Sequence, residues 1–489
     1  YRFRINPNAR FSNGEPVTAE DVAASWEFRM DPNIQAPMNR IVFEKYERPI
    51  VESKYIIRVE SEELNWRNFL YISTMTILPA HIIRTLKDDD YLTDWNFKMF
   101  PGSGPYIVTE DDVEQGRSIT IRRRKNYWAE KNRANVGLYN FDEIRDVIVR
   151  DENLAFEMLK RGDLDFFIVN RAQMWVEELD FDRIKRGLIH KRKVFNHDPQ
   201  GMAGLAMNMR RPPFDDIRVR QAMNHLYNRG QMIEKLFYNE YLPQDSYYAG
   251  GVYENPDNPK NLYDPERALA LLAEAGWDSR DSQGQLVKTG QPLNLELVYY
   301  SNTQEPYLTV FQEDLRRVGI GLNLRLVTFA TLVKLLDERR FDFVTIAYNG
   351  LLFPNPETSV HSSLADQENS NNIAGIKNTR IDEILEAYDK MFDIEERIAA
   401  IQEIDGIMAN IYPFVLSWYA PYQRFVFWNK FGTPPGYISK VGDYSDPIAF
   451  WWVEPDKDQA IAEAMRNEAI TLDVGETDNR YWLKSSEGE

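Results

Sequence analysis

The 489-residue sequence contains no cysteine. Disulfide bonds, thiol catalysis and cysteine-ligated zinc sites are therefore excluded. The sequence also lacks an excess of basic residues, because 58 Lys and Arg stand against 76 Asp and Glu, which gives a formal net charge of −18. A nucleic-acid partner needs a basic face that neutralises its phosphates, so the composition argues against such a partner.

Long apolar runs are missing too, since none approaches the ~20 residues that a membrane-spanning helix needs. The five histidines show no metal-binding spacing; they are His81, His190, His197, His225 and His361. Neither a Walker-type lysine loop nor a G-x-G-x-x-G fingerprint occurs. We therefore expect no metal, no cofactor and no enzyme activity. The many carboxylates leave one alternative open, a glycoside hydrolase that uses a carboxylate pair.

The first 28 residues carry the densest pattern of local signals in the chain. Tyr1, Phe3 and Ile5 alternate with polar residues, which predicts a half-buried strand. Asn13-Gly14 favours a tight turn, and Thr18 with Asp21 predicts a capped helix. Because the strand begins at the first residue, we expect either an exposed sheet edge beside it or a separate N-terminal fragment docked there.

This stretch resembles a signature of known transport proteins. Phe11–Ser25 is similar to the F-S-D-G-x-P-V-T-A-x-D-V-x-x-S motif of the peptide-type solute-binding proteins of ABC importers, extracellular family 5. Four further motifs of that family follow in order, and they are Gly102–Tyr106, Arg124–Trp128, Pro212–Ala222 and Tyr263–Gly276. The segments Trp428–Gly432 and Asp446–Trp452 look most like the Yej-type subgroup.

The resemblance implies an α/β protein with the two-lobe, type II periplasmic-binding-protein (Venus flytrap) fold and an extra subdomain on the first lobe. The expected domains are residues 1–101 as the extra subdomain, incomplete at its N-terminus, 102–235 as lobe I, 236–427 as lobe II, 428–466 as the return to lobe I and 467–489 as a polar C-terminal tail. We expect this tail to dock weakly or fray. Family members begin upstream of the motif at Phe11, with a signal peptide, so the N-terminal portion is expected to be missing here.

Residues 293–350 predict a β-α-β-α-β unit from the alternation of apolar residues alone. Such a unit implies parallel strands, and ligands bind beyond the carboxyl ends of parallel strands. The candidate binding residues at these ends are Tyr300, Asn302, Ala347, Tyr348, Asn349 and Gly350. Ordinary loop residues are the alternative interpretation.

The aromatic segment Tyr412–Phe431 supplies further candidates. Its counterpart in the family passes the cleft between the lobes, so the resemblance implies that Trp418, Tyr419 and Tyr422 line the cleft, with core packing as the alternative. Asn208, at the end of a predicted strand, is expected to form part of the wall. Oligopeptide-binding relatives often place an aspartate after the strand that ends near Tyr348. Here the first acid is Glu357, so either Glu357 replaces the aspartate or the ligand lacks a free amine at that point.

The implied function is capture of a peptide or peptide conjugate between the lobes and its delivery to an ABC permease in the inner membrane. A periplasmic location follows from the resemblance. Backbone pairing with a strand would bind the peptide, with Ala347–Gly350 supplying the backbone and leaving room for another chain. The alternatives are a glycan- or glycopeptide-binding protein of the same fold and the glycoside hydrolase named above.

Overall fold

The computed structural model describes residues 1–87, 90–95 and 98–484. Its strands are numbered in chain order: β1 Arg2–Arg4, β2 Ile50–Ser53, β3 Ile56–Arg58, β4 Tyr106–Ile107, β5 Val113–Glu114, β6 Ser118–Arg123, β7 Glu143–Val147, β8 Phe166–Ile168, β9 Ile189–Val194, β10 Met202–Met207, β11 Leu242–Pro243, β12 Ser279–Arg280, β13 Leu286–Lys288, β14 Gln291–Pro292, β15 Asn294–Tyr299, β16 Gly321–Leu326, β17 Phe343–Tyr348, β18 Phe414–Leu416, β19 Trp418–Tyr419, β20 Gln423–Trp428, β21 Phe431–Gly432, β22 Trp452–Val453 and β23 Asp478–Asn479.

The α-helices are α1 Ala19–Met30, α2 Pro37–Phe43, α3 Asn68–Thr74, α4 Ala80–Ile83, α5 Asp90–Thr93, α6 Glu152–Arg161, α7 Asp182–Lys185, α8 Ile217–Leu226, α9 Arg229–Lys235, α10 Pro265–Glu274, α11 Glu305–Arg317, α12 Phe329–Asp337, α13 Glu357–Val360, α14 Thr379–Tyr388, α15 Ile394–Ile411, α16 Pro447–Phe450, α17 Pro455–Arg466 and α18 Tyr481–Lys484. No helix of the described ranges is both long and apolar enough to cross a bilayer.

The chain divides into two compact units, each made of separate stretches. The first comprises residues 1–170, 177–197 and 422–489, and the second comprises 171–176 and 198–421. The boundary predicted at residue 235 differs from this division. The division falls earlier because β10 lies between β17 and β18 in one sheet, so the chain from residue 198 onward packs with the second unit.

In the first unit, β1, β3 and β2 form an antiparallel sheet against α1. The predicted cap at Thr18 is present: the Asp21 carboxylate accepts from the Thr18 backbone N and hydroxyl, both at 2.7 Å. The other carboxylate oxygen of Asp21 accepts from the Ala80 backbone N at 2.8 Å, which ties α4 to α1.

β1 is an edge strand of this sheet, as predicted. Beside it stand the rings of Tyr1, Phe3 and Phe69, with centroids 5.9–6.5 Å apart, and Phe69 is half exposed. Docking of a separate N-terminal fragment at this edge stays a prediction.

The first unit also contains a sheet in the order β23-β9-β20-β8. Because β23 lies in the C-terminal segment, this sheet corrects the expectation that the tail docks only weakly. β23 pairs in parallel with the edge of β9, and the buried Arg186 guanidinium donates to the carbonyl groups of Ala464, Asn467 and Ile470. Residues 478–479 are therefore bound by backbone pairing, and the carbonyl groups of Asn467 and Ile470 are bound by Arg186; the polar composition of the segment revealed neither contact. Residues 485–489 of the predicted tail lie outside the described residues.

The second unit is built on a five-stranded sheet in the order β16-β15-β17-β10-β18. The β-α-β-α-β prediction is confirmed by β15, α11, β16, α12 and β17, because β15 pairs in parallel with both β16 and β17. β10 runs antiparallel to β17 and to β18, so the sheet is mixed. Helices α8, α10 and α11 bury their apolar faces on it, around core residues such as Phe311 and Phe343.

Candidate functional site

The carboxyl ends of β15, β16, β17 and β18 lie at one edge of the sheet of the second unit. Tyr299 is level with Leu326, and Val298 is level with Val344, in parallel register. β18 has the same direction as β17, since both are antiparallel to β10. The chain segments that follow these strands therefore share this edge, which is where the sequence places a ligand.

β17 projects past its neighbour at this edge. The last residue paired with β15 is Val344, whereas β17 continues through Thr345 to Tyr348. On its other side β17 stays paired with β10 as far as Tyr348 opposite Met202. Within the described ranges, Thr345–Tyr348 thus has no strand partner on the β15 side, and Ala347 is exposed there.

Tyr348 is held in place by its own contacts. Its hydroxyl donates to the Asn371 carbonyl oxygen at 2.8 Å, and its ring meets the Phe414 ring nearly perpendicularly at 6.3 Å between centroids. Burial raises the pKa of the Tyr348 hydroxyl, so the group stays protonated and remains a donor. The Tyr348 side chain is therefore fixed and half-buried at the end of β17.

Gly350 does not leave the room for another chain that the sequence analysis expected. A Cβ placed on Gly350 would overlap the carbonyl group of Pro199, and one placed on Gly201 would overlap the carbonyl group of Tyr348. The two backbones approach so closely that only glycine fits at both positions. The space beside Gly350 is filled by residues 199–201 of the same chain, whereas Asn349 is exposed.

Tyr300 and Asn302 are exposed where β15 ends. The Tyr300 ring packs edge-on against the Phe329 ring at 5.4 Å between centroids, and Phe329 begins α12 after β16. Gln304 lies behind them, and its side-chain oxygen is 3.4 Å from the Tyr300 backbone N and 3.5 Å from the Thr345 hydroxyl. Phe329 was missed by the sequence analysis, which listed the ends of the first and third strands but not that of the second.

Asn208 lies at the opposite end of the sheet. It follows Met207, which pairs with Phe343 at the start of β17, because β10 is antiparallel to β17. Its side chain is buried and donates to the carbonyl groups of Arg339 and Phe341 at 3.1 and 3.0 Å. Asn208 therefore fixes the chain at the amino end of β17, and its predicted place in the wall of the site is wrong.

The Trp418 side chain packs against the core, which was the alternative to a place in the cleft. Its ring centroid is 4.5 Å from that of Phe237 and 5.0 Å from that of Tyr307, in the aromatic part of the main core. Tyr419, the next residue, is half-buried beside Gly250. The Ser417 backbone N donates to the Ala203 carbonyl oxygen, so the antiparallel register, continued by two residues, places Tyr419 level with Gly201. Tyr419 thus lies at the edge where β17 ends.

Tyr422 belongs to the first unit. Its ring packs against Phe195 at 5.0 Å, and the Lys193 ammonium lies 4.9 Å from its centroid. A role for Tyr422 in binding stays a prediction.

The loop beside Tyr419 is anchored by a buried carboxylate. Asp405, in α15, accepts from the Ser246 hydroxyl, the backbone N of Tyr247 and Asn255, and the Asn258 amide, all at 2.8–2.9 Å. Burial raises the pKa of this carboxyl, while the four donors act in the other direction. No group of three or more His, Asp or Glu side chains in the described ranges is arranged to hold a metal ion.

Comparisons with known proteins show which proteins the chain is similar to. The model of the family described as "Bacterial extracellular solute-binding proteins, family 5 Middle" matches residues 1–371. YejA of Escherichia coli K12, described as uncharacterized, is 26% identical over 496 residues, covering 94% of this chain and 80% of that protein. A YejA of Agrobacterium fabrum, described as a "Probable peptide-binding protein", is also 26% identical, over 92% of this chain and 79% of that one.

Among solved structures, the oligopeptide-binding protein AppA of Bacillus subtilis, in complex with a nonapeptide, superposes with a TM-score of 0.79 at 21% identity. The match covers 93% of this chain and 87% of that one. This likeness confirms the predicted fold class, the two-lobe α/β fold.

Proposed function

Because the chain belongs to family 5 of the bacterial extracellular solute-binding proteins, we propose that it binds peptides or peptide conjugates and delivers them to the permease of an ABC importer. Proteins of this family bind solutes for transport and perform no chemistry on them, so the protein is not an enzyme. A periplasmic location is part of this proposal. The description of the A. fabrum relative as peptide-binding supports it.

The observation that carries the proposal is the projecting end of β17. Ile346–Tyr348 keeps one side paired with β10 and offers the backbone N–H and C=O groups of its other side beyond the end of β15. An extended peptide has unpaired groups of the same kind, so it can add to β17 as a further strand. Pairing through the main chain selects for a peptide backbone and tolerates different side chains.

The surroundings fit this binding mode. The Tyr348 side chain is fixed by its hydrogen bond to Asn371, and the half-buried Tyr419 ring lies beside Gly250. Aromatic walls of this kind bury large ligand area at a small entropic cost, because they are already ordered.

N-methylated ligands test the proposal without altering the protein. An N-methyl group removes a backbone donor and leaves every side chain unchanged, so a peptide that pairs with β17 should lose affinity when alternate residues are methylated. We expect a loss of about 1–3 kcal/mol for the residues that face β17, by calorimetry. The matched control is the same peptide methylated at the residues in between, which face away.

Equal affinity for the two methylated peptides and the parent would contradict backbone pairing at β17. Binding of an oligosaccharide in preference to every peptide would instead favour the glycan alternative, and cleavage of either ligand would favour the hydrolase.

A further inference from the structure

Three chain segments at the edge that carries the proposed peptide site contain no charged residue. Residues 299–304 follow β15, 326–333 cover the end of β16 and the start of α12, and 346–356 cover the end of β17 and the loop after it. These 25 residues contain no Asp, Glu, Lys or Arg, whereas 27% charged residues in the whole chain would place about seven among them. We call this surface the neutral edge.

The neutral edge is also apolar and open to solvent. Its exposed large apolar side chains are Tyr300, Leu326, Phe329, Val333, Leu351, Leu352 and Phe353. Phe329 is 63% exposed and Leu351 is 55% exposed. Phe329 and Val333 are one helical turn apart, so they share a face of α12, and Tyr300 packs against Phe329. Exposed apolar side chains that gather at one place mark a binding surface more often than single ones do.

Two cations that border the neutral edge have acidic partners. The Arg325 guanidinium lies 3.1 Å from the Glu296 carboxylate, and the Lys334 ammonium lies 3.9 Å from the Glu338 carboxylate. Glu305 starts α11 just beyond the first segment and is exposed. An ionised ligand group placed over the three segments would therefore lose water and gain no opposite charge from them, which is costly.

We propose that the neutral edge receives an uncharged, apolar stretch of the peptide ligand, with large aliphatic or aromatic side chains, while the charged ends of the peptide lie elsewhere. This inference rests on the proposed function and deepens it, because it names the class of peptide. An apolar ligand side chain that covers Phe329 and Leu326 removes apolar surface from water on both partners, which favours binding.

Peptides that differ at one pair of adjacent residues test the inference. The host is an alanine-based hexapeptide with free termini, and the pair is Leu-Phe, Ser-Ser, Lys-Lys or Glu-Glu. We expect calorimetry to give the Leu-Phe peptide an affinity at least about tenfold higher than either charged peptide. The variant Phe329→Ala should lower the affinity for the Leu-Phe peptide about tenfold and leave that for the Ser-Ser peptide unchanged.

Two variants complete the test. Ile217→Ala is the control, because Ile217 is a 43% exposed apolar residue of the same unit at the start of α8, in the segment that follows β10 at the opposite end of the sheet. It should change no affinity. Val333→Asp places a carboxylate on the exposed face of α12 and should raise the affinity for the Lys-Lys peptide while lowering that for the Glu-Glu peptide.

The outcomes separate the two proposals. If the peptides bind but the charged and apolar pairs are equal, or if folded Phe329→Ala binds the Leu-Phe peptide as well as the wild type does, the neutral edge is not where the apolar stretch lies and the inference is overturned. If the wild-type protein binds no peptide of the series, nor the parent peptide of the methylation experiment, the proposed function fails and the inference fails with it.

Discussion

At the scale of single residues, the close contact of Gly350 with residues 199–201 changes what a mutation there would mean. The sequence indicated that Gly350 leaves room for a ligand, but the overlapping neighbour is the backbone of Pro199. Sequence periodicity could place Gly350 at the end of a strand. It could not identify the partner backbone, which lies about 150 residues earlier in the chain and is brought there only by the antiparallel pairing of β10.

Gly350→Ala should therefore destabilise the second unit. The added Cβ has no flexible neighbour to displace, so we expect a loss of about 1–3 kcal/mol in the free energy of unfolding by urea denaturation. Gly230→Ala is the matched control, since a Cβ there meets nothing within 4 Å in helix α9; it should be neutral or slightly stabilising. An unchanged stability of Gly350→Ala would show that the backbones separate easily.

His190 gives a second prediction at this scale. It lies on β9 with its ring against Phe427 at 5.5 Å, and burial together with Arg192 lowers its pKa to about 4. The unfolded chain binds a proton near the usual value of about 6.5, so the native state holds fewer protons between the two values. The stabilising contribution of neutral His190 is complete above about pH 6.5 and is lost as the pH falls toward about 4.

NMR titration of the imidazole protons checks this directly. One of the five histidine signals should titrate near pH 4, and it should disappear in His190→Gln. The same variant should show a weaker loss of stability between pH 6.5 and 4 than the wild type. A signal assigned to His190 that titrates near 6.5 would contradict the burial argument.

At the scale of elements, local signals were sufficient for helices and strands whose stabilising contacts are close in sequence. Helix α1 begins at the predicted cap, where Thr18 and Asp21 are only three residues apart. The parallel arrangement of β15, β16 and β17 was also predictable, because each crossover helix follows its strand directly.

Elements held by distant partners could not be predicted in this way. The direction of β10 depends on β17 and β18, which lie far along the chain, and this is why Asn208 was assigned to the wrong end of the sheet. The segment 467–489 was expected to dock weakly or fray because it is polar, yet polar side chains do not prevent residues 478–479 from pairing with β9.

Removing the arginine that holds this segment tests its docking. Arg186→Met leaves the carbonyl groups of Ala464, Asn467 and Ile470 without their donor, so we expect a loss of about 2–3 kcal/mol in unfolding free energy and faster hydrogen exchange in residues 467–479. Lys185→Met removes the exposed cation of the preceding residue, the last of α7, whose ammonium lies 3.1 Å from the Asp180 carboxylate, and should cost less than about 1 kcal/mol. Equal effects of the two variants would mean that Arg186 does not anchor the segment.

At the scale of the whole molecule, each unit is assembled from stretches that are separated in sequence. The first unit takes residues from both ends of the chain and the second takes most of the middle. Composition does not mark such crossings, so the predicted boundaries at 101, 235, 427 and 466 could only follow the family resemblance. The subdivision of the first unit into an extra subdomain and a lobe stays a prediction. The family motifs, by contrast, predicted the fold class and the family correctly.

The central claim, that this protein captures peptides, is tested most directly by native mass spectrometry. Protein stripped of ligand by unfolding and refolding would be mixed with equal amounts of a tripeptide-to-hexapeptide pool and an oligosaccharide pool of similar masses. We predict adducts with the masses of intact peptides, enriched in apolar sequences, and displaced by an excess of one apolar peptide whose mass differs from those of the pool. Adducts of oligosaccharides alone, or the appearance of cleaved ligand, would contradict the account.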